Sequence, residues 1–360
     1  MILIGRLFTQ KSVAPLALGV LPLLLAAGSQ AGSFEALPKK APAPADNPVT
    51  EAKVELGRKL YFDPRLSLDG TVSCNSCHNV MSGGEDGRAT SAGIRGQNGG
   101  RSAPTVWNAA FLSVQFWDGR ANSLEDQAKG PLTNPIEMGM PSHDAVVARL
   151  REIPGYIKEF ERAFGGKGTD AVTIDGVAKA IASYERTLVT SNTPYDRYVR
   201  GDKKALSDQQ VRGMKLVETT GCLSCHMGAN FSGPTLPVGT GFFQKFPANP
   251  DADIESKYQI SKDLGRYEVT KKDADKNLFR VPTWRNVALT APYFHNGSVP
   301  TLEEAVRVMA KTQLKKSLNT TEIADIVAFL NGLGGGFPDQ KMPRLPDAPN
   351  RSLVVGGAAL

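Results

Sequence analysis

The sequence predicts a mainly helical chain of two tandem domains. A Cys-x-x-Cys-His pentapeptide occurs twice, at Cys74–His78 and Cys222–His226, and each copy follows a segment with the capping residues and apolar spacing of a helix. A length of 360 residues also exceeds what one core usually serves and suits two domains of roughly 150 residues. The pentapeptides contain all four cysteines and two of the four histidines. Thiols at this spacing can add to the two vinyl groups of one haem while the adjoining imidazole reaches the iron. The pattern therefore predicts two covalent haems c, one on Cys74, Cys77 and His78, the other on Cys222, Cys225 and His226. Zinc and disulfides are the competing readings. A closed zinc site needs four ligands folded together, and each pentapeptide offers three.

The elements follow in chain order. Arg6 and Lys11 precede an apolar run from Val13 to Ala27, and Ser29-Gln30-Ala31 offers small residues for cleavage, so 1–31 reads as a signal peptide and the protein as exported to the periplasm. An uncleaved anchor is the alternative, but the run is shorter than the ~20 residues of a spanning helix. The exported chain stays mildly basic, and no nucleic-acid partner is expected. A helix from Thr50 to Leu60 precedes the first motif; a later one carries Val177, Ile181, Tyr184 and Leu188 on one face. Arg200-Gly201-Asp202-Lys203 reads as the seam, giving domains over 32–200 and 201–336. In the second, a helix from Ser207 to Glu218 starts at capping-box spacing, and Ile323, Ile326, Val327 and Leu330 share a face after a cap at Asn319 or Thr320. A helix before the haem motif and another long after it is the cytochrome c arrangement, so each domain is expected to be cytochrome c-like with one covalent haem. The stretch between Met227 and Phe279 is irregular and too long for an ordinary connection, and is expected to wrap the second haem. The Pro-rich tail, 337–360, has no period; packing across the first domain and mobility are both open.

What sits opposite each histidine decides between electron transfer and catalysis. Met309, at the end of a helix read from Leu302 to Met309, is the candidate for the second iron, with a core role as the alternative. His295, in a polar aromatic turn, is a candidate partner behind a ligand, and His143 reads as a solvated first-turn residue.

Several stretches, with both haem motifs in order, make the chain similar to the bacterial di-haem cytochrome c peroxidases, a superfamily that includes the di-haem enzyme maturing methylamine dehydrogenase. They include Leu60-Tyr61-Phe62-Asp63-Pro64-Arg65-Leu66-Ser67, Ala103-Pro104-Thr105, Gln115-Phe116-Trp117-Asp118-Gly119-Arg120, Ile136-Glu137-Met138, Phe279-Arg280-Val281-Pro282-Thr283 and Pro292-Tyr293-Phe294-His295-Asn296-Gly297. The resemblance implies a first, peroxidatic haem ligated by His78 and a second, high-potential haem ligated by His226 and Met309. It implies Trp117 between the haems, and Gln127, Pro131 and Glu137 lining a peroxide pocket. Glu137 would move the proton during O–O cleavage, Gln127 would orient peroxide, and the electrons would come from a small periplasmic cytochrome c or cupredoxin. The family is often dimeric, so a homodimer is expected as well.

Two positions depart from the family. Ile94 stands where many members carry a histidine that caps the first iron at rest, so that iron is expected to be open unless Met81, Met138 or Met140 replaces the cap. An Ile94→His exchange in this Gly-flanked loop, expected to be mobile, would install the cap. The family's interdomain calcium is held by an asparagine and two carbonyls. Thr290 and Pro292 match the carbonyl positions while Ser102 replaces the asparagine, so calcium is expected with weaker affinity. A di-haem oxidase acting on a partner protein and a non-enzymatic di-haem electron carrier are the other functions the sequence permits.

Overall fold

Residues 34–348 and 352–354 are described by a computed structural model, and the expected signal peptide lies outside them. Thr50 caps the Glu51–Phe62 helix by accepting from the Lys53 amide, and Ser207 closes a reciprocal capping box with Gln210 at the start of the Asp208–Thr219 helix. Asn319 does the same with Glu322 for the Thr320–Asn331 helix. Each box satisfies amides that have no partner inside the helix.

Two helix pairs organise the chain. Glu51–Phe62 packs on Ile174–Glu185, and Asp208–Thr219 packs on Thr320–Asn331. Both pairs cross at a glycine: a Cβ on Gly57 would overlap the Ala180 carbonyl oxygen, and one on Gly213 would overlap that of Asp325. The missing side chain lets the two backbones touch.

Two hydrophobic clusters form around these pairs. The first contains Leu56, Leu60, Tyr61, Val177, Ile181 and Tyr184; Leu188 is buried with them although the helix ends at Glu185. The helices Leu124–Thr133, His143–Arg151 and Pro154–Phe164 lie against this cluster. The second contains Val217, Phe231, Phe279, Ile326 and Phe329, and it begins at Tyr195, just before the Arg200–Lys203 turn. The Leu302–Leu314 helix joins it, longer than the sequence pattern indicated. Between Met227 and Phe279 regular structure is sparse: strand Phe243–Lys245 pairs antiparallel with Leu278–Arg280, and a short helix spans Ala252–Tyr258.

Both ends of the described chain reach the first cluster, the N-terminal segment from the second cluster and the tail from the helix that closes the second half. Phe34 packs edge-on against Tyr195 and Phe329, the Leu37 amide donates to Asp196 Oδ1 at 2.9 Å, and Asn47 then donates to Glu125 and to the Lys179 carbonyl. The tail does not hang free. Phe337 packs edge-on against Trp107 with centroids 4.7 Å apart, Gln340 accepts from the Tyr184 hydroxyl, and the Pro346 carbonyl accepts from Arg65. Among the described residues no helix is long and apolar enough to cross a membrane.

Gly57→Ala forces a methyl group into the backbone of the partner helix. It is expected to lower stability by about 1–3 kcal/mol, read as a lower midpoint in denaturant unfolding.

Candidate functional site: two cavities and a shared wall

The first pentapeptide forms a single helical turn, Cys74–Cys77, which puts its two sulfurs on one side, and the His78 amide donates to the Cys74 carbonyl at 2.9 Å. The second turns similarly, with the His226 amide donating to Cys222. The His78 Nδ1 bonds the Pro104 carbonyl at 2.9 Å, and the His226 Nδ1 bonds the Phe231 carbonyl at 3.1 Å. A carbonyl only accepts, so both rings carry the proton on Nδ1 and keep the Nε2 lone pair for a metal. Burial holds the His226 pKa down to about 4 and also lowers that of His78, so both imidazoles are neutral. No disulfide joins any of the four cysteines. Burial pushes Cys74 up to about 12 and raises Cys77 and Cys222, so these walls accept an uncharged sulfur, which a thioether also is.

Each turn opens onto a cavity. The first, about 380 Å³, is lined by Cys74, Cys77 and His78 together with Gln127, Pro131, Glu137 and Met138. The second, about 220 Å³, is lined by Cys222, Cys225, His226, Met309, Thr290, Pro292 and His295. Trp117 and Ser102 line both cavities. The Trp117 indole donates to the Ser102 carbonyl at 2.8 Å, and the Ser102 amide donates to the His295 carbonyl at 2.8 Å. His226 stacks on Trp284 with centroids 4.3 Å apart. Arg280 is buried in the second wall, donates to the Phe116 and Val281 carbonyls, and has no carboxylate at ion-pair distance among the described residues. An anionic ligand edge would satisfy it, since a buried charge is costly without a partner. Haem, with two carboxylates and a rigid apolar face, fits both donor sets.

The two walls are copies of one motif. Gln115 bridges Ala121 as Tyr293 bridges Val299; Phe116 and Phe294 both take positive φ, at 67° and 72°, as do Asn108 and Asn286. One constant offset relates all these pairs, and it also relates Trp117 to His295 and Pro131 to Met309. The repeat is far closer than the helix spacing alone suggested. Its departures matter most: where the second cavity has a thioether, the first has a proline, which has no donor for a metal.

Glu137 is half-buried and accepts from the Asn134 amide group at 3.0 Å; burial raises its pKa, against the opposing pulls of Arg120 and Asn134. His143 opens the His143–Arg151 helix and is half-exposed, with its Nε2 also tied to the Lys129 carbonyl. His295 is buried and stacks on Phe279, with its Nε2 unpartnered.

The loop at Ile94 is docked, not mobile. The Ala92–Asn98 bridge closes it, the Ile94 amide donates to the Glu137 carbonyl, and Gly93 approaches the Ile136 backbone too closely for a side chain. Ile94 itself is 2% exposed, packs against Gly139 and does not line the first cavity. Of the three methionines considered as replacements for a cap, Met81 is exposed and Met140 lies in the core. Met138 alone among them reaches the cavity wall.

Sequence reasoning missed Trp284, Arg101 and Glu185. Arg101, on the first cavity's wall, pairs with Asp118 at 2.5 Å and with Asp263 at 2.6 Å, and nothing in its neighbourhood in the sequence marks it. Glu185 carried a signal, because it stands four residues after Ile181 on an apolar helix face.

The paired haem-attachment turns, each opening on a cavity with a neutral histidine, define a two-site c-type haem protein. Residues 51–204 match the di-haem cytochrome c peroxidase family, and residues 282–313 match a RoxA-like, cytochrome c-like family. The chain is 44% identical over 314 residues to cytochrome c551 peroxidase of Pseudomonas aeruginosa, covering 87% of each chain. It is 41% identical to cytochrome c551 peroxidase of Nitrosomonas europaea, covering 94% of this chain and 96% of that one. A crystal structure of a MauG-like protein associated with microbial copper homeostasis superposes with a TM-score of 0.71 at 31% identity, covering 83% of this chain and 94% of the other. The chain belongs to the di-haem cytochrome c peroxidase family, and it is an enzyme of the cytochrome c peroxidase class.

The docked loop revises what Ile94→His should do. The imidazole would enter an apolar pocket away from the cavity, so the exchange is expected to cost about 1–3 kcal/mol in denaturant unfolding and to leave the ferric optical spectrum unchanged. A conversion of the first haem to low spin would show that the loop leaves its dock.

Proposed function

We propose that the protein reduces hydrogen peroxide to two waters outside the cytoplasm, taking electrons one at a time from a small cytochrome c or cupredoxin. The observation that carries this reading is the asymmetry of the repeat: Met309 on one wall, Pro131 with Glu137 and Gln127 on the other. Export rests on the apolar run and small residues before Ala31, and a homodimer remains part of the proposal. We take 32–200 and 201–336 as the two domains, with 337–360 as the tail.

Cys74 and Cys77 would hold the first haem with His78 as iron ligand, and Cys222 and Cys225 the second with His226 and Met309. When bound, the haems would supply electron storage and, at the first of them, the redox chemistry that reduces peroxide. The residues govern what happens in the first cavity. Gln127 offers an amide to orient the peroxide. Glu137, as carboxylate, takes the proton from the near oxygen and returns it to the departing one, so two electrons and two protons yield two waters. Trp117, in the wall common to both cavities, offers the route for the electron arriving from the second side. Its indole is fixed by Ser102, which leaves the ring one orientation. Ser102 is also the side-chain candidate for calcium, with the Thr290 and Pro292 carbonyls. All three line the second cavity, and a hydroxyl with carbonyls and water is an adequate if weak oxygen set.

Mass spectrometry of the exported protein, produced in a host that matures c-type cytochromes, is expected to give the polypeptide plus two haems. Joint replacement of Cys74 and Cys77 by alanine should remove one, and a mass without adducts would overturn the assignment. Glu137→Gln is expected to lower kcat/KM for peroxide by about 10²–10⁴-fold. Because Glu137 acts unprotonated and burial raises its pKa, wild-type activity should fall as pH drops through a value above the ordinary carboxylate range, and the variant should lose this acid limb. Activity within about twofold of wild type would remove Glu137 from the chemistry.

A further inference from the structure

Glu185 is the last residue of the Ile174–Glu185 helix, and it lines the first cavity together with Ile181. It is 6% exposed and its Oε2 has no hydrogen-bond partner. The adjacent cation is committed elsewhere: Arg186 pairs with Glu125 through both carboxylate oxygens, at 2.7 and 3.1 Å, and donates its Nε–H to the Pro42 carbonyl. The charged groups that line the same cavity are engaged as well, Arg101 with Asp118 and Asp263, Arg120 with Asp118, and Glu137 with the Asn134 amide group; the remaining titratable groups near Glu185 are uncharged. Tyr61 donates its hydroxyl to the His78 carbonyl and Tyr184 donates to Gln340, while Cys74 becomes a thioether once haem is attached. A carboxyl so placed has no ion-pair partner among the described residues, and a proton or the positive charge of an oxidised haem across the cavity would neutralise it.

We propose that Glu185 is the redox-linked proton site of the first haem: when that haem accepts one electron, the Glu185 carboxylate takes up one proton from water, and it releases the proton when the haem is oxidised again. The inference rests on the reading that the first cavity holds a haem. Reduction removes one positive charge from the cavity, and protonation of Glu185 removes one negative charge, so the buried site keeps the same net charge in both states. Burial already pushes this carboxyl up to about 8, with Arg186 lowering and Glu125 raising it. The value is lower opposite ferric haem than opposite ferrous haem, because electron and proton binding must couple with the same free energy in both directions. Between the two values the potential of the first haem falls as pH rises. Below both, the acid is protonated throughout and the potential is flat.

The test is optical potentiometry of the holoprotein from about pH 6 to about pH 10, following the two haems by their separate bands. In wild type the first haem's potential is expected to fall with pH across a window near neutrality to mild alkalinity. In Glu185→Gln, whose amide matches the neutral acid in shape, it is expected to stay flat near the wild-type acid-side value, with the second haem unchanged in both proteins. A flat wild-type profile, or the same slope in Glu185→Gln, overturns the proposal. If the variant does not assemble, proton uptake per electron, measured with an indicator dye in weakly buffered Glu137→Gln, decides instead: uptake on reducing the first haem is expected, and its absence overturns the claim. The mass of the same samples separates the two levels of inference. Loss of the first haem adduct from otherwise wild-type protein would refute the haem assignment itself, whereas two intact adducts with no linked proton would refute only the role of Glu185.

Discussion

The short chain of hydrogen bonds from the Trp117 indole through Ser102 to the His295 backbone fixes the wall between the two cavities, and the functional geometry depends on it. One residue, Ser102, receives the indole with its carbonyl and ties off His295 with its amide. On the other side of the tryptophan, the Arg280 amide donates to the Trp117 carbonyl, and its guanidinium donates to Phe116. The backbone at Phe116 is held at positive φ, a conformation a bulky side chain adopts only when its surroundings impose it. Arg101 then locks the neighbouring turn by ion pairs to Asp118 and Asp263, both largely shielded from water. The indole cannot swing out of the shared wall without breaking contacts made by both halves of the chain.

The internal repeat explains how one architecture provides two different sites. Both halves use a close helix crossing at a glycine, a haem-attachment turn, and a Phe with left-handed backbone ahead of a capped helix. Against that shared frame, a few exchanges distinguish the two cavities: Pro131 for Met309 and Trp117 for His295, with Glu137 placed beside the proline by the turn after it. An electron-accepting site needs saturated, rigid ligation, whereas a reactive one needs a free position and a group able to move a proton. The same frame supports both because neither exchange touches the helix pair that holds each turn in place.

The connections between halves are made by the ends of the described chain as well as by the core. The segment from Phe34 to Asn47 begins on the second cluster and finishes on the first, and the tail from Phe337 to Pro346, which follows the last helix of the second half, packs on the first cluster. The first of these also reaches Asp196, a fully buried carboxylate that accepts from the Leu37 amide, from Thr193 and from Arg285. Arg285 in turn holds the Ala229 carbonyl just after the second haem turn. Local attachment of the chain end is thereby linked to the position of a functional loop.

The sequence by itself determined the chemistry and the local elements. Two Cys-x-x-Cys-His turns, the caps at Thr50, Ser207 and Asn319, and the apolar faces of the closing helices are written in neighbouring residues, because capping and helical periodicity act over one or two turns. Tertiary structure alone decided what faces what. That Ile94 is docked in the core and not poised over a cavity, that His143 is tied to Lys129, and that the Pro-rich tail is a strap all follow from contacts between segments far apart in the chain. Arg101 and Trp284 gain their roles in the same way. Glu185 lies between these cases: its place on an apolar face was legible, but its unpartnered oxygen and its position at a cavity wall depend on where Arg186 is drawn by Glu125, which no local pattern encodes.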